Sequence, residues 1–183
     1  TLAQYNVKAT FFVVGKEDEE SQEMYKRIVN EGHTLGMHSY SHQYKEIYQS
    51  MDAFQADYER ISNCLTAATG IKPLYYRFPG GSTEVTEKLQ MTDLDAYFNA
   101  QGASYFDWNV IAANNTTDDV SVNKMVDSVM NGVALYDTSI VLMYDSVDRK
   151  MTAKSLDSIL DYLLKNGYEI LPIDENTIPI RHS

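Results

Sequence analysis

Two histidines four residues apart are the feature of this sequence best suited to chemistry. His38 and His42 lie in the run HSYSH, directly after a short apolar segment, Thr34–Met37. Residues at i and i+4 share one face of a helical turn, so both imidazoles would reach a single metal ion. The spacing alone leaves two interpretations open: a metal site, or a pair of surface or capping histidines.

Polar residues elsewhere occupy comparable positions, each following an apolar run. Besides His38–His42 they form the clusters Arg77–Ser82, Asp107–Asn109 and Tyr144–Asp145. In barrels of parallel strands, active sites form where the strands end and the following loops begin. Four polar clusters at four such positions therefore predict one functional edge.

The elements that must position these clusters alternate between short apolar runs and amphipathic stretches. We predict six strands, at Ala9–Val14, Thr34–Met37, Leu74–Tyr76, Ser104–Asn109, Ser139–Met143 and Tyr168–Pro172. Helices are predicted over Glu17–Glu31, Asp52–Ala68, Thr86–Ala100, the apolar stripe Val122–Val133, and Thr152–Lys165. Strands alternating with helices indicate an α/β protein with parallel strands, arranged as a barrel or as a doubly wound sheet.

Composition limits the classes of partner. The 183 residues are predicted to form a single domain, 1–183, and their net charge of −11 disfavours nucleic acid as a partner. Cys64 is the only cysteine, which excludes an internal disulfide and a cysteine-based zinc cluster. No apolar run approaches the roughly 20 residues of a membrane span, so none is predicted.

The polar clusters and their flanking strands resemble a known family. The segments NVKATFFVVG (6–15), EGHTLGMHSYSH (31–42), RFPGGS (77–82), FDWN (106–109) and IVLMYD (140–145) are similar, in order and spacing, to polysaccharide deacetylases of the NodB-homology type, carbohydrate esterase family 4. The resemblance covers essentially the whole chain and four of the family's five motifs. It implies a distorted (β/α) barrel and the metal-dependent removal of N-acetyl groups from an N-acetylglucosamine polysaccharide, peptidoglycan or a chitin-like chain, with release of acetate.

The resemblance also implies roles for single residues. His38 and His42 would be ligands of Zn²⁺, or of another divalent metal such as Co²⁺ or Ni²⁺. Arg77 would stand beside the catalytic aspartate, and the backbone N–H of Gly80 would help to hold the oxyanion.

Further assignments come from the later motifs. Asp107 is assigned with Arg77 to the catalytic group, and Trp108 to the wall of the substrate groove. Leu142 matches the apolar residue that lines the pocket for the acetyl methyl group. Tyr144 stands at the catalytic position where the family has a histidine as general acid.

The sequence departs from the family pattern in two places. The opening Thr-Phe-Asp-Asp-Gly motif, which carries the catalytic base and the third metal ligand, is absent. We therefore expect an N-terminally incomplete domain that lacks its first strand and binds metal weakly or not at all. Tyrosine has a pKa of about 10, against roughly 6.5 for histidine, so Tyr144 is poorly matched to proton transfer. Neither His33, at a strand start, nor His182, in the tail, is a convincing substitute.

These departures leave the activity of the chain open. The alternative is a catalytically inactive homologue that binds glycan at the cell surface. A serine acyl-hydrolase is a third, remote candidate, because no G-x-S-x-G motif is present. The resemblance implies a bacterial extracellular or cell-surface location. A missing strand would leave open sheet edges, through which we expect a homodimer.

Overall fold

Four parallel strands form the sheet that carries the histidine motif. They are β1 (Thr10–Val14), β2 (Thr34–Ser39), β3 (Tyr75–Tyr76) and β4 (Ser104–Tyr105), and they neighbour one another in chain order. The β-branched and aromatic residues of β1 favour an extended, packed strand. A second, two-stranded parallel sheet pairs β5 (Val110–Ile111) with β6 (Val141–Leu142).

The computed structural model describes residues 1–113, 120–146 and 150–183. They fall into two compact units. The four-stranded unit comprises residues 9–107 and 172–183, and the two-stranded unit comprises residues 1–8 and 108–171. The prediction of one domain over 1–183 stays a prediction.

Helices connect the strands that pair with each other, because parallel neighbours can be joined only by long crossover connections. They are α1 (Glu19–Asn30), α2 (Tyr44–Ile47), α3 (Met51–Thr69), α4 (Met91–Gln101), α5 (Val122–Val133) and α6 (Lys150–Lys165). Asp18, Ser50 and Ser121 precede α1, α3 and α5, and each side chain accepts a hydrogen bond from a backbone N–H of the first turn. The parallel strands with interleaved helices confirm the predicted α/β class.

Aromatic rings dominate the core of the four-stranded unit. Phe54 and Tyr58 on α3 are at most 1% exposed and lie against the buried Tyr76 of β3, with ring centroids 5.6 and 5.7 Å away. Phe78 packs on Tyr105 of β4 at 4.9 Å. This packing holds α3 against β3. The helix predicted over Asp52–Ala68 is confirmed as α3, and its buried face carries Phe54, Tyr58, Ile61 and Leu65.

The two-stranded unit has a smaller aliphatic core. It is formed by Val110, Ala112, Met125, Val129, Val133, Ile159 and Leu163. The predicted stripe of α5 supplies three of these residues, and α6 supplies two. Among the described residues, no helix combines the length and the apolar character needed to cross a membrane.

The structure corrects several predicted elements. Tyr168–Pro172 is not a strand: the Tyr168 N–H closes the end of α6 on the Leu163 carbonyl. Next to this segment, the backbone N–H of Ile173 donates to the Thr10 hydroxyl, and the Thr34 hydroxyl donates to the Ile173 carbonyl. These side-chain bonds take the place of pairing between strands.

The predicted strand Ser104–Asn109 was too long, since pairing stops at Tyr105 and resumes as a separate strand at Val110. The helix predicted over Thr86–Ala100 begins only at Met91. The one-turn helix α2 was missed, because four residues show no periodic pattern.

Candidate functional site

His38 occupies an irregularity in β2. Val13 of β1 pairs with Met37 and the next residue, Val14, pairs with Ser39, so His38 is the extra residue in the ladder. A bulge of this kind re-aims a side chain and is often found next to active sites. The local backbone therefore singles out His38 among the residues of β2.

A hydrogen bond fixes the orientation of the His38 ring. Nδ1 of His38 lies 2.8 Å from the carbonyl oxygen of Arg77. Because a carbonyl can only accept, Nδ1 carries the proton and the neutral ring keeps its lone pair on Nε2. Burial lowers the pKa of His38 to about 4, with the Arg77 carbonyl opposing this effect and His42 adding to it. His38 is therefore neutral at physiological pH, as a metal ligand must be.

His42 reaches the same place by a turn and not by a helix. The prediction that the two histidines share a helical turn is wrong: His38 ends a strand, and His42 follows in a loop with a φ of 55°, in the left-handed region. The ring centroids nevertheless lie 5.1 Å apart. Burial lowers the pKa of His42 too, although the negative charge of Asp57 opposes it. The two imidazoles thus form a neutral, adjacent pair.

Arg77 directly follows β3 and is buried. Its guanidinium stacks on the Phe12 ring, 4.3 Å from the centroid. Nε donates to the Phe106 carbonyl at 3.0 Å, and Nη2 donates to the Asp107 carbonyl at 3.3 Å. Arg77 thereby joins the carboxyl ends of β3 and β4, while its own carbonyl orients His38 on β2.

Gly80 lies in the turn after Arg77. Gly81 donates to the Phe78 carbonyl at 2.8 Å, which closes a turn with Pro79 and Gly80 at its centre. Gly80 has a φ of 80°, as a type II turn requires at its third position, and proline favours the second. The Tyr48 hydroxyl donates to the Pro79 carbonyl at 2.9 Å and holds the turn from the side of α2.

Asp107 is fully buried and joins three segments of the four-stranded unit. Its carboxylate accepts from the backbone N–H of Ser82 at 2.9 Å, from the Ser82 hydroxyl at 2.5 Å and from the backbone N–H of His182 at 2.8 Å. The His182 ring lies beside it, with Nδ1 4.0 Å from Oδ2. These bonds give Asp107 a positioning role, and its predicted catalytic role stays a prediction.

The remaining predicted residues belong to the two-stranded unit. Leu142 is buried in β6 and pairs with Ile111 of β5. Trp108 and Tyr144 are both half-buried. Tyr144 follows β6 by two residues, at the carboxyl end of that strand. The structure thus brings His38, His42, Arg77, Gly80 and Asp107 together in one unit and places Trp108, Leu142 and Tyr144 in the other.

Sequence reasoning missed three contributors. Asp57 on α3, Ser82 after the glycine turn and His182 in the tail all hold backbone near the histidine pair or Asp107. Ser82 was inside a recognised motif, but nothing in the sequence indicated its partner. His182 lies in the C-terminal tail, where nothing in the sequence indicates a role, and its backbone N–H, not its side chain, makes the short contact.

The histidine pair fits the nitrogen half of a zinc site. Two neutral imidazoles, one with its tautomer fixed by a backbone carbonyl, are the arrangement that metal-binding histidines show. In the part of the chain that the structure describes, no group of three or more His, Cys, Asp or Glu side chains could hold a metal ion. The remaining coordination positions are therefore not assigned to any described residue.

Parallel strands whose carboxyl ends carry a histidine pair, an arginine and a glycine turn define the NodB-type class of α/β deacetylases. A model of the polysaccharide deacetylase family matches residues 1–98. The chain belongs to the polysaccharide deacetylase family, and the resemblance given by its motifs is confirmed.

Individual relatives agree with this assignment. The peptidoglycan-N-acetylglucosamine deacetylase PgdA of Listeria monocytogenes is 32% identical over 177 residues, which cover 96% of this chain and 34% of the relative. The chain thus spans about a third of that relative's length. The catalytic domain of the Eubacterium rectale peptidoglycan N-acetylglucosamine deacetylase has a similar structure, with a TM-score of 0.89 and 33% identity over 100% of this chain and 83% of that one.

A third similar structure is a mutant of a Bacillus anthracis family 4 pseudoenzyme, described as having restored enzymatic activity. Its TM-score is 0.73, with 25% identity over 94% of this chain and 58% of that one. The fold therefore occurs in deacetylases and also in a pseudoenzyme of the family.

Proposed function

We propose that this chain takes part in the hydrolysis of N-acetyl groups on an N-acetylglucosamine polysaccharide of the bacterial cell surface, peptidoglycan or a chitin-like chain. Water adds to the acetamide carbonyl and the C–N bond breaks, giving acetate and a free sugar amine. The observation that carries the proposal is the adjacent, neutral pair His38 and His42 at the carboxyl end of β2. Family membership supports the substrate class.

In this proposal Nε2 of His38 and the ring of His42 hold Zn²⁺, or another divalent ion such as Co²⁺ or Ni²⁺. Bound there, the ion supplies a Lewis acid for the acetyl carbonyl and lowers the pKa of a coordinated water. The protein's part is preorganisation: the Arg77 carbonyl fixes the His38 tautomer, and Arg77 locks two strand ends together.

The glycine turn is suited to oxyanion binding. Its backbone is fixed by the Tyr48 hydroxyl on one side and by the Ser82–Asp107 hydrogen bonds on the other. A fixed N–H at Gly80 costs little reorganisation when negative charge develops on the acetyl oxygen. The roles of Trp108, Leu142 and Tyr144 towards the sugar and the acetyl group stay predictions.

Acetate release tests the proposal. Purified protein with one equivalent of Zn²⁺ is incubated with a hexamer of N-acetylglucosamine, and acetate is measured by an enzyme-coupled assay. We expect release that EDTA abolishes and that falls by about 100-fold in His38→Ala, while His33→Ala retains it. Zinc-loaded protein that releases no acetate from this oligomer or from peptidoglycan would contradict the proposal.

A second candidate is glycan binding without turnover. Tyr144 favours it, because the phenol replaces the imidazole expected as proton donor, and the pseudoenzyme shows that this fold occurs without activity. Saturable binding of the hexamer without acetate release would support this candidate. The variant Tyr144→His then tests whether only the proton donor is missing. If this variant releases acetate, the missing proton donor is the cause of the inactivity.

A further inference from the structure

The loop that carries His42 needs an external support. A residue other than glycine rarely adopts a positive φ, and His42 does so three residues after the bulged strand β2 ends at Ser39. Such a conformation persists only where the surrounding structure fixes it. The source of that constraint decides how firmly His42 faces His38.

The constraint comes from one carboxylate on α3. Oδ2 of Asp57 accepts from the backbone N–H of Tyr40 and from the Ser39 hydroxyl, both at 2.8 Å. Oδ1 accepts from the backbone N–H of Ser41 at 2.9 Å. Three consecutive residues between the two histidines are therefore bound to a single side chain.

The hydrogen bonds continue to His42 itself. The Ser39 hydroxyl has one proton, which it gives to Asp57, so its lone pairs are left to accept. The backbone N–H of His42 donates to that oxygen at 2.8 Å. Ser39 is fully buried, so water cannot replace Asp57 at this hydroxyl. Asp57 thus fixes both the loop and the hydroxyl on which His42 rests.

Asp57 itself is held rigidly. Its neighbours along α3, Phe54, Tyr58 and Ile61, are at most 1% exposed and anchor the helix in the aromatic core. An uncharged amide at this position could not reproduce the bonds, because its nitrogen is a donor and would face N–H or O–H groups that also donate.

We propose that Asp57 is a positioning residue that sets His42 against His38 for cation binding. The inference rests on the proposed function, in which these two histidines hold a divalent metal ion. Asp57 acts on His42 through its hydrogen bonds to Ser39, Tyr40 and Ser41.

The test compares Asp57→Asn with Asp52→Asn, an identical change at an exposed position of the same helix. Calorimetric titration of metal-free protein with ZnCl₂ gives the affinity, and hydrogen exchange followed by NMR gives the protection of the Tyr40 and Ser41 amides without metal. We expect Asp57→Asn to lose about 10-fold in zinc affinity or more, and to lose amide protection at both positions. Asp52→Asn should match the wild type in both measurements.

The two readouts separate this inference from the proposed function. A wild-type chain that binds no zinc overturns the metal site, and the exchange data then still decide whether Asp57 holds the loop. Wild-type zinc affinity, or unchanged protection of both amides, in Asp57→Asn overturns the positioning role. If Asp57→Asn does not fold, Ser39→Ala provides the test. This change removes only the hydroxyl that accepts from the His42 N–H and donates to Asp57. It must weaken zinc binding if the inference holds.

Discussion

Replacing His38 by asparagine should change how stability depends on pH in the metal-free protein. The amide nitrogen of asparagine can take the place of Nδ1 and donate to the Arg77 carbonyl, but it does not titrate. In the wild type, burial holds the pKa of His38 at about 4, against 6.5 for the free side chain. Between these values the unfolded chain binds a proton that the folded chain does not bind.

The sign and size of the effect follow by linkage. Because the unfolded state binds more protons, the free energy of unfolding falls as the pH falls from 6.5 towards 4. A difference of about 2.5 pH units, at roughly 1.4 kcal/mol per unit, corresponds to about 3 kcal/mol. This contribution is present in full above pH 6.5 and lost near pH 4.

Urea unfolding in EDTA, followed by circular dichroism at several pH values, gives the free energy of unfolding of both proteins. Titrating groups away from this site affect both proteins equally, so the difference between the two curves reports His38 together with its coupling to His42. We expect His38→Asn to gain about 3 kcal/mol relative to the wild type between pH 7.5 and pH 4. Parallel curves would refute the conclusion that the folded chain holds His38 neutral.

Two further predictions concern the supports of the glycine turn and of Asp107. Tyr48→Phe removes a hydrogen bond to the Pro79 carbonyl and should lower the free energy of unfolding by about 1 kcal/mol. The control Tyr76→Phe removes a buried hydroxyl that has no partner among the described residues, so it should be neutral or stabilising. Thermal unfolding compares the two variants. Ser82→Ala removes one of the bonds to the buried Asp107 carboxylate and should cost about 2 kcal/mol of stability in urea unfolding; a loss below about 0.5 kcal/mol would contradict the role given to that bond.

The elements of the fold that the sequence predicts are those whose apolar residues form a pattern over many positions. β1 matches its prediction because five consecutive residues are β-branched or aromatic, and α3 matches because its apolar residues recur over several turns of helix. The two-residue strands β3 to β6 are too short for such a pattern. Their bounds depend on which backbone groups find a neighbour in the folded chain.

The candidate site shows the same division. The HSYSH run identified the histidine pair, but its spacing suggested a helical turn where the structure uses a bulge and a left-handed residue. Asp57 carries no local signal, because an aspartate beside a buried helical stripe is common and its partners lie 16 to 18 residues away. Motif residues could be predicted from the sequence, whereas the groups that hold them could not.

The zinc content of the purified chain tests the central claim most directly. Protein dialysed against ZnCl₂ and then against metal-free buffer is analysed for zinc by mass spectrometry, for the wild type, His38→Ala and the control His33→Ala. His33 serves as the control because its ring accepts the Ala9 N–H at a strand start, away from the histidine pair. We predict close to one zinc per chain in the wild type and in His33→Ala, and a loss of most of it in His38→Ala. Equal zinc in all three proteins, or none in any of them, would contradict a metal site built on His38 and His42.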